Sequence, residues 1–345
     1  MNISLHYYFF LGLFAFSLTS LLTPVMGKVA NKFGVVDFPN STHKTHSKPV
    51  PYLGGVSIAF GVSSVVIVSS LFVGLGSYAL LLALSVLVPA LALGAIGLWD
   101  DIRNLNPFPR FLVQSIFGIV ISILLVKTKT LGSPFGIYLL DVTISVLWIV
   151  GITNAINFFD NIDGGASGSI VISSLCLFFL FLLSDQIILA GLAIVISGAT
   201  SGFLLWNRPP ARIYMGDAGS LFLGVLIGTL TLRLDPLPID KIASFSIPFC
   251  TLAIPILDTT TAVLSRLRRR VSPFQGGRDH LSHRLMRLGL TKRVSLYLLW
   301  SLSLLFCLIA ILITFAPNNL ERLLTVLTLI VWTLLLLLFL STSDK

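Results

Sequence analysis

Long apolar runs alternate with short polar islands along the whole chain. The runs fall near 5–26, 55–73, 77–98, 109–126, 137–156, 168–183, 187–205, 219–233, 243–265, 294–315 and 321–341. Each comes close to the ~20 residues that cross a bilayer as a helix. The pattern predicts an all-α, polytopic integral membrane protein of about ten or eleven transmembrane helices. A transmembrane barrel would instead show ~10-residue segments of alternating polarity. Runs 168–183 and 219–233 are the shortest. No polar stretch is long enough to form a soluble domain, and neither a repeat nor a low-complexity linker divides the chain, so residues 1–345 read as a single domain. No basic residue precedes the first run, whereas Lys28 and Lys32 follow it. That is the reverse of a signal peptide.

Composition agrees with this pattern. Charged residues are 11% of the chain and hydrophobic residues 55%, where a soluble domain carries about 25% charged residues. Cys176, Cys250 and Cys307 lie singly inside apolar runs, a spacing that suits neither a disulfide framework nor a zinc site. Basic residues set the orientation. With the N-terminus outside, 18 of the 23 Lys and Arg residues fall in inner loops or at the C-terminal tail. The expectation is N-terminus out and C-terminus cytoplasmic. The net charge of +9 is then concentrated on the inner face, where it suits anionic headgroups or phosphorylated substrates. Basic residues scattered among loops argue against nucleic acid as a partner.

The same orientation brings five aspartates, Asp100, Asp101, Asp160, Asp163 and Asp217, to the cytoplasmic face. Carboxylates beside bilayer-spanning segments are costly and are usually paired, ligated or functional. In GLWDDIRNLN, neighbouring Asp100 and Asp101 point ~100° apart on a helix, so that one can face a bound Mg²⁺ and the other a substrate. An exposed pair balanced by Arg103 is the plainer alternative. In NAINFFDNIDGG, Asp160 and Asp163 are three apart and share one side of a helical turn. Asn157 and Asn154 extend a polar stripe before them, although polar caps at a helix end would also account for the pattern. In RIYMGDAGS, Asp217 stands just before an apolar run, with Ser220 as a candidate helix cap. Asp217 as a plain N-cap is the simpler reading there.

Two further loops carry candidate chemistry. In RLRRRVSPFQGGRDHLSHRLMRLGL, Arg266 to Arg270 read as an inner-face charge cluster with no catalytic role. His280 and His283 are three apart and, with Arg278, could contact a diphosphate. A zinc pair also fits the spacing, but no Cys or Glu lies nearby. In VVDFPNSTHKTHSKPVPYLGG, Lys44, His46 and Lys48 precede a Pro-rich turn and Gly54-Gly55.

Taken in order, DFPNSTHKTHSKPVPYLGG, GLWDDIRNLN, NAINFFDNIDGG, YMGDAGSLFLG, PILD and RDHLSHRL resemble the motif set of the polyprenyl-phosphate N-acetylhexosamine-1-phosphate transferases, strongest over residues 35–290. The resemblance implies a fold of ten or eleven transmembrane helices and an active site on the cytoplasmic face of a bacterial inner membrane. It implies that Asp100 and Asp101 serve Mg²⁺ and lipid-phosphate chemistry and that Asp217 is a metal ligand. By the same resemblance, Asn157, Asp160 and Asp163 form part of the nucleotide-sugar site, His280 and His283 lie near the diphosphate, and Lys44 and His46 border the nucleotide pocket. The implied cofactor is Mg²⁺, with Mn²⁺ as its substitute. The implied partners are undecaprenyl phosphate, a UDP-HexNAc and membrane lipids, and a homodimer is allowed.

The chain departs from the motif pattern at two positions. Ser282 stands where the histidine motif usually has another histidine, and Asn161 replaces a glycine of the usual DGLDG. The peptidoglycan branch usually shows a longer histidine run and a different first-loop sequence, so the chain resembles the nucleotide-HexNAc branch more than the phospho-N-acetylmuramoyl-pentapeptide transferases, which remain the alternative. The competing class is a secondary transporter. Transporters put ionisable groups near the midplane and commonly show repeated halves, whereas here the acids sit at span edges without a repeat. A lipid-binding scaffold without catalysis is a third reading. Direct attack and an aspartyl intermediate both stand.

Overall fold

A computed structural model of the chain describes residues 5–37, 49–72, 77–103, 105–236, 241–274 and 276–342. Within them the helices are α1 (Leu5–Phe33), α2 (Gly54–Phe72), α3 (Ser77–Arg103), α4 (Pro107–Lys127), α5 (Tyr138–Phe159), α6 (Gly165–Leu183), α7 (Ile187–Asn207), α8 (Gly216–Arg233), α9 (Lys241–Thr251), α10 (Ala253–Arg268), α11 (Leu281–Arg287), α12 (Lys292–Phe315) and α13 (Asn318–Ser341). Among the described residues, nine helices are long and apolar enough to cross a membrane: α1 to α7, α12 and α13. The consecutive pair α9 and α10 adds a broken span. With α8, these account for all eleven predicted runs of this multi-pass, all-α membrane protein.

α8 is the axis of the bundle, with α2, α3, α5 and α6 packed around it. Every one of its residues except Asp217 and Leu232 is buried. A helix that is apolar all round must be covered all round, and the sequence SLFLGVLIGTLTL leaves no polar face for water. At 18 residues it spans about 27 Å. Small residues let its neighbours approach closely: a Cβ on Gly55 would collide with the backbone of Gly219, and one on Gly97 with the carbonyl of Asp217. In membranes such small-residue contacts replace the hydrophobic drive for helix packing. α13 is built the opposite way. Glu321, Thr325 and Thr328 are buried, while Leu323, Leu334, Leu337 and Leu338 face outward, where lipid takes the place of a protein neighbour.

The run expected at 243–265 is not one straight helix. It breaks between α9 and α10 with a bend of 78°. Pro255 has no N–H to give to the Thr251 carbonyl, so the helical ladder cannot pass this point. Carbonyls at the break take side-chain donors, as an apolar medium requires. Thr251 accepts from Ser173 Oγ at 2.6 Å, and Ala253 from Trp332 Nε1 at 2.9 Å. Beside the break, Leu147, Gly151, Phe249 and Ile256 help to line a groove of about 330 Å³ against α5. Cys176, Cys250 and Cys307 are free and buried, as their isolated spacing implies.

The polar islands gather at one end of the bundle. There β1 (Val36–Asp37) pairs antiparallel with β2 (Val50–Pro51), in the register Val36↔Pro51 and Asp37↔Val50. The ladder closes the base of the loop that carries Lys44 and His46, which lie outside the described residues. The buried Arg284 guanidinium of α11 donates to the carbonyls of Phe339 and Thr342, tying the end of α13 to the same region. The start of α1 is at the opposite end, where the Tyr8 hydroxyl donates to the Ile187 carbonyl.

Candidate active site

Tyr52, Asp100, Asp101, Leu105, Arg110, Asn157, Asp160, Gly216 and Asp217 line a pocket of about 410 Å³ at this end. Four of the five aspartates singled out in the sequence are therefore in one place, delivered by α3, α5 and α8. The fifth, Asp163, is held apart by Lys292 at 2.8 Å and by the backbone N–H of Ala211 at 3.0 Å.

Asp100 and Asp101 diverge as the helical turn requires. Both oxygens of Asp101 accept backbone N–H groups at the start of α8, from Asp217 at 2.9 Å and Ala218 at 3.0 Å. A carboxylate from α3 thus caps α8, where unsatisfied amides and the helix dipole favour negative charge. Gly216 makes this fit possible. Its φ is +70°, in the left-handed region, and a Cβ there would lie 2.5 Å from Asp101 Oδ2. Ser220, expected as the cap, lies one turn further in and accepts from Asn157 Nδ2 at 2.9 Å. The plain N-cap reading of Asp217 also gives way, because the helix already begins at Gly216.

Freed from capping, Asp217 turns to the pocket. Its Oδ1 accepts from Asn157 Nδ2 at 2.6 Å, and its Oδ2 from Arg110 Nη1. The same Arg110 nitrogen lies 2.5 Å from Asp100 Oδ2, while Asp100 Oδ1 accepts from the Leu105 N–H at 2.6 Å. Asp100 and Asp217 therefore converge on one cationic point. Arg110 is a site residue that the sequence reading passed over. Its signal was positional: a cation in the first turn of a helix opposes the dipole, so it needs anions beside it. Tyr52 was also missed. Burial, then the Asp37 carboxylate, push its hydroxyl up, which keeps it a hydrogen-bond donor. Asp160 sits at the pocket wall after the last turn of α5. Burial, followed by the charges of Asp217, Asp101 and Asp163, pushes its carboxyl well above the ordinary range.

The fit of a divalent ion can be judged from these donors. Mg²⁺ is commonly held by one or two carboxylates, with substrate phosphate and water completing the shell. Asp100 and Asp217 meet that description, as hard oxygens converging at an open pocket. Asp101 lines the same pocket, with its two oxygens accepting amides of α8. Among the described residues no three His, Cys, Asp or Glu side chains form a metal-holding group. The zinc reading of His280 and His283 finds no third ligand there.

The histidine loop builds a second cluster behind the pocket wall. Buried His280 presents Nδ1 to Asp258 Oδ2 at 2.7 Å and Nε2 to Arg266 Nη2 at 3.3 Å. Arg266 is not a surface charge as the run of arginines suggested. It is buried, grips both oxygens of Asp279 at 2.9 and 2.8 Å, and lies 5.2 Å over the Phe158 ring. Burial alone would raise the Asp279 carboxyl, but the hydrogen bonds and charge of Arg266, aided by His280, hold it below the usual range. Burial and the charge of His280 push His283 down to about 4, with Arg278 and Arg287 adding to the effect against Asp258. Neither histidine lines the pocket, and Arg278 is exposed at its own loop.

Comparison with known proteins places this arrangement. The description "Glycosyl transferase family 4" matches residues 83–235, which run from within α3 through α8 and hold all the pocket carboxylates. A Bacillus subtilis (strain 168) protein named a probable undecaprenyl-phosphate N-acetylglucosaminyl 1-phosphate transferase is 35% identical over 298 residues, 84% of this chain and 80% of its own length. The chain belongs to glycosyl transferase family 4. The decaprenyl-phosphate N-acetylglucosaminephosphotransferase of Mycolicibacterium smegmatis is 30% identical over 84% of this chain and 78% of its own. The undecaprenyl-phosphate alpha-N-acetylglucosaminyl 1-phosphate transferase of Escherichia coli K12 is 28% identical over 82% and 78%. The resemblance carried by the ordered motifs is thus borne out at the level of the family.

Proposed function

We propose that this family 4 protein transfers a HexNAc-1-phosphate, GlcNAc-1-phosphate by analogy with its relatives, from a UDP-sugar to undecaprenyl phosphate, releasing UMP and starting a lipid-linked envelope glycan. The observation that carries the reading is the convergence of Asp100 and Asp217 on one cationic point in a pocket at the end of the bundle. In the reaction, an oxygen of the lipid phosphate forms a bond to the phosphorus that bears the sugar. The bond from that phosphorus to the uridylate oxygen breaks, and UMP leaves with the electron pair. A lipid phosphate is largely ionised near neutrality, so positioning matters more than a strong base.

The chain's residues divide this work. Asp101 fixes the start of α8 and so the height of Asp217. Asn157 orients the Asp217 carboxylate, and Arg110 supplies a permanent positive charge where phosphoryl oxygens gather. Asp160 and Tyr52 form the wall toward the nucleotide sugar. Asp100 and Asp217 would hold Mg²⁺, which when bound neutralises charge on the diphosphate and the departing UMP. The groove beside the α9–α10 break begins on α5 at Ala155, two residues before Asn157, and suits an apolar tail whose headgroup enters the pocket. The orientation that places the pocket on the cytoplasmic face rests on the distribution of basic residues.

Incubating the purified protein with Mg²⁺, undecaprenyl phosphate and a panel of UDP-sugars tests the proposal. UMP release with a UDP-HexNAc is expected, stopped by EDTA and restored by Mg²⁺ or Mn²⁺. No UMP from any UDP-HexNAc would sink the enzymatic reading. Cysteine-accessibility labelling at residue 160 or 278 from the outer side would overturn the orientation.

A further inference from the structure

Asn161 and Ser282, the two departures from the motif pattern, touch each other. One follows Asp160 in the turn that ends α5, and the other lies in α11. The Ser282 hydroxyl donates to Asn161 Oδ1 at 2.5 Å. Asn161 Nδ2 donates to the Phe158 carbonyl at 2.8 Å and to Asp258 Oδ2 at 3.2 Å. Those two partners can only accept, so a single orientation of the amide satisfies all three contacts. Asp258 is fully buried and also receives His280 Nδ1 at 2.7 Å and the Leu281 N–H at 2.7 Å. Asp258 accepts, so His280 Nδ1 carries a proton toward it. Two donors, Asn161 held by Ser282 and His280 packed beside Arg266, therefore end on one buried carboxylate.

We propose that Asn161 and Ser282 are one exchange, a matched pair of positioning residues that sets Asp160 in the pocket and, through Asp258, the Nδ1 proton and ring plane of His280. A side chain is added on the α5 turn where the motif has glycine, and an imidazole is removed from the facing position on α11. Ser282 is buried, and neither residue lines the pocket, so the pair acts through Asp160, the adjoining residue, and through His280. This rests on the reading of the pocket as a nucleotide-sugar site.

The test is a double-exchange cycle in the full-length purified protein, read as UMP release from UDP-GlcNAc with undecaprenyl phosphate. N161G and S282H are each expected to lower kcat/KM for the nucleotide sugar by ~10–100-fold, the scale of a displaced supporting residue. The N161G/S282H protein should return to within about threefold of the starting rate, and S282T, which keeps the hydroxyl, should do so as well. The KM for the lipid phosphate should stay unchanged throughout. Additive losses in the double variant, or full activity in both single variants, overturn the pairing. A starting protein that releases no UMP removes the functional reading instead. The pair is then judged by the ¹⁵N signals of His280, which S282A and N161G must both shift if the relay exists; unmoved signals overturn it.

Discussion

Two clusters of acidic and basic side chains stand at the same end of the bundle, and they are built for different purposes. In the pocket, Asp100 and Asp217 share one guanidinium, Arg110, whose side chain is 18% exposed beside open space. Behind the wall, Asp279 has both oxygens bound by Arg266, with Arg269 added at 2.6 Å, and Asp258 has no exposure at all. The residue types are nearly the same. What differs is whether each charge is fully answered by protein. A closed set holds helices in place, whereas two carboxylates sharing one cation leave capacity for a ligand. The comparison teaches that a basic run or a histidine motif does not mark chemistry until its partners are known.

The largest expected effect falls on the open cluster. Asp217→Asn or Asp100→Asn should lower UMP release by ~10³-fold, the scale of losing a preorganised electrostatic group, with the melting temperature almost unchanged. Full activity in either variant would take that residue out of the site. The closed cluster should answer in stability. Arg266→Ala removes the buried bidentate partner of Asp279 and leaves it the exposed Arg269 and the more distant His280, and breaking a buried pair costs about 3–5 kcal/mol, measurable by denaturation in detergent. A variant that melts normally would show that the cluster is not a brace.

Arg110→Ala should reduce turnover by ~10–100-fold through lost phosphate positioning, with Arg110→Lys recovering part of it, since lysine keeps the charge and loses the planar fork. Equal rates for all three proteins would move Arg110 to a structural role. The smallest effect concerns pH. His283 is depressed to about 4, so between about pH 6.5 and that value the unfolded chain binds more protons than the folded one. Stability should therefore fall as pH drops through this window, by an amount on the order of 1–3 kcal/mol, and His283→Gln should flatten the profile. Asp279 acts lower: its folded carboxyl is depressed, so its contribution persists above about pH 3.9 and is lost only below it. Identical profiles for the His283 variant and the starting protein would remove that assignment.

Much of this was readable in the chain. Apolar runs of bilayer length appear as helices because a backbone in lipid must satisfy its own hydrogen bonds. The divergence of Asp100 and Asp101 followed from helical geometry, and the motif order anticipated the meeting of α3, α5 and α8. Other features were hidden by their dependence on distant partners. The break near Leu252 depends on carbonyls answered by Ser173 and Trp332, from α6 and α13. Arg266 looked like one of a row of inner-face arginines until Asp279 and Phe158 enclosed it. Ser220 looked like a cap until Asp101 arrived from another helix to do that work.

The sequence by itself determined that the chain crosses a membrane many times, where its carboxylates lie relative to the spans, and which family it resembles. Those properties depend on local periodicity, composition and motif order, which survive without a partner. Tertiary structure alone decided that Asp101 caps α8 while Asp217 faces the pocket, that Arg110 joins two acids, and that Asn161 answers Ser282. Each of those roles is set by which lone pairs and protons remain unsatisfied after packing, and that depends on residues as much as 121 positions away.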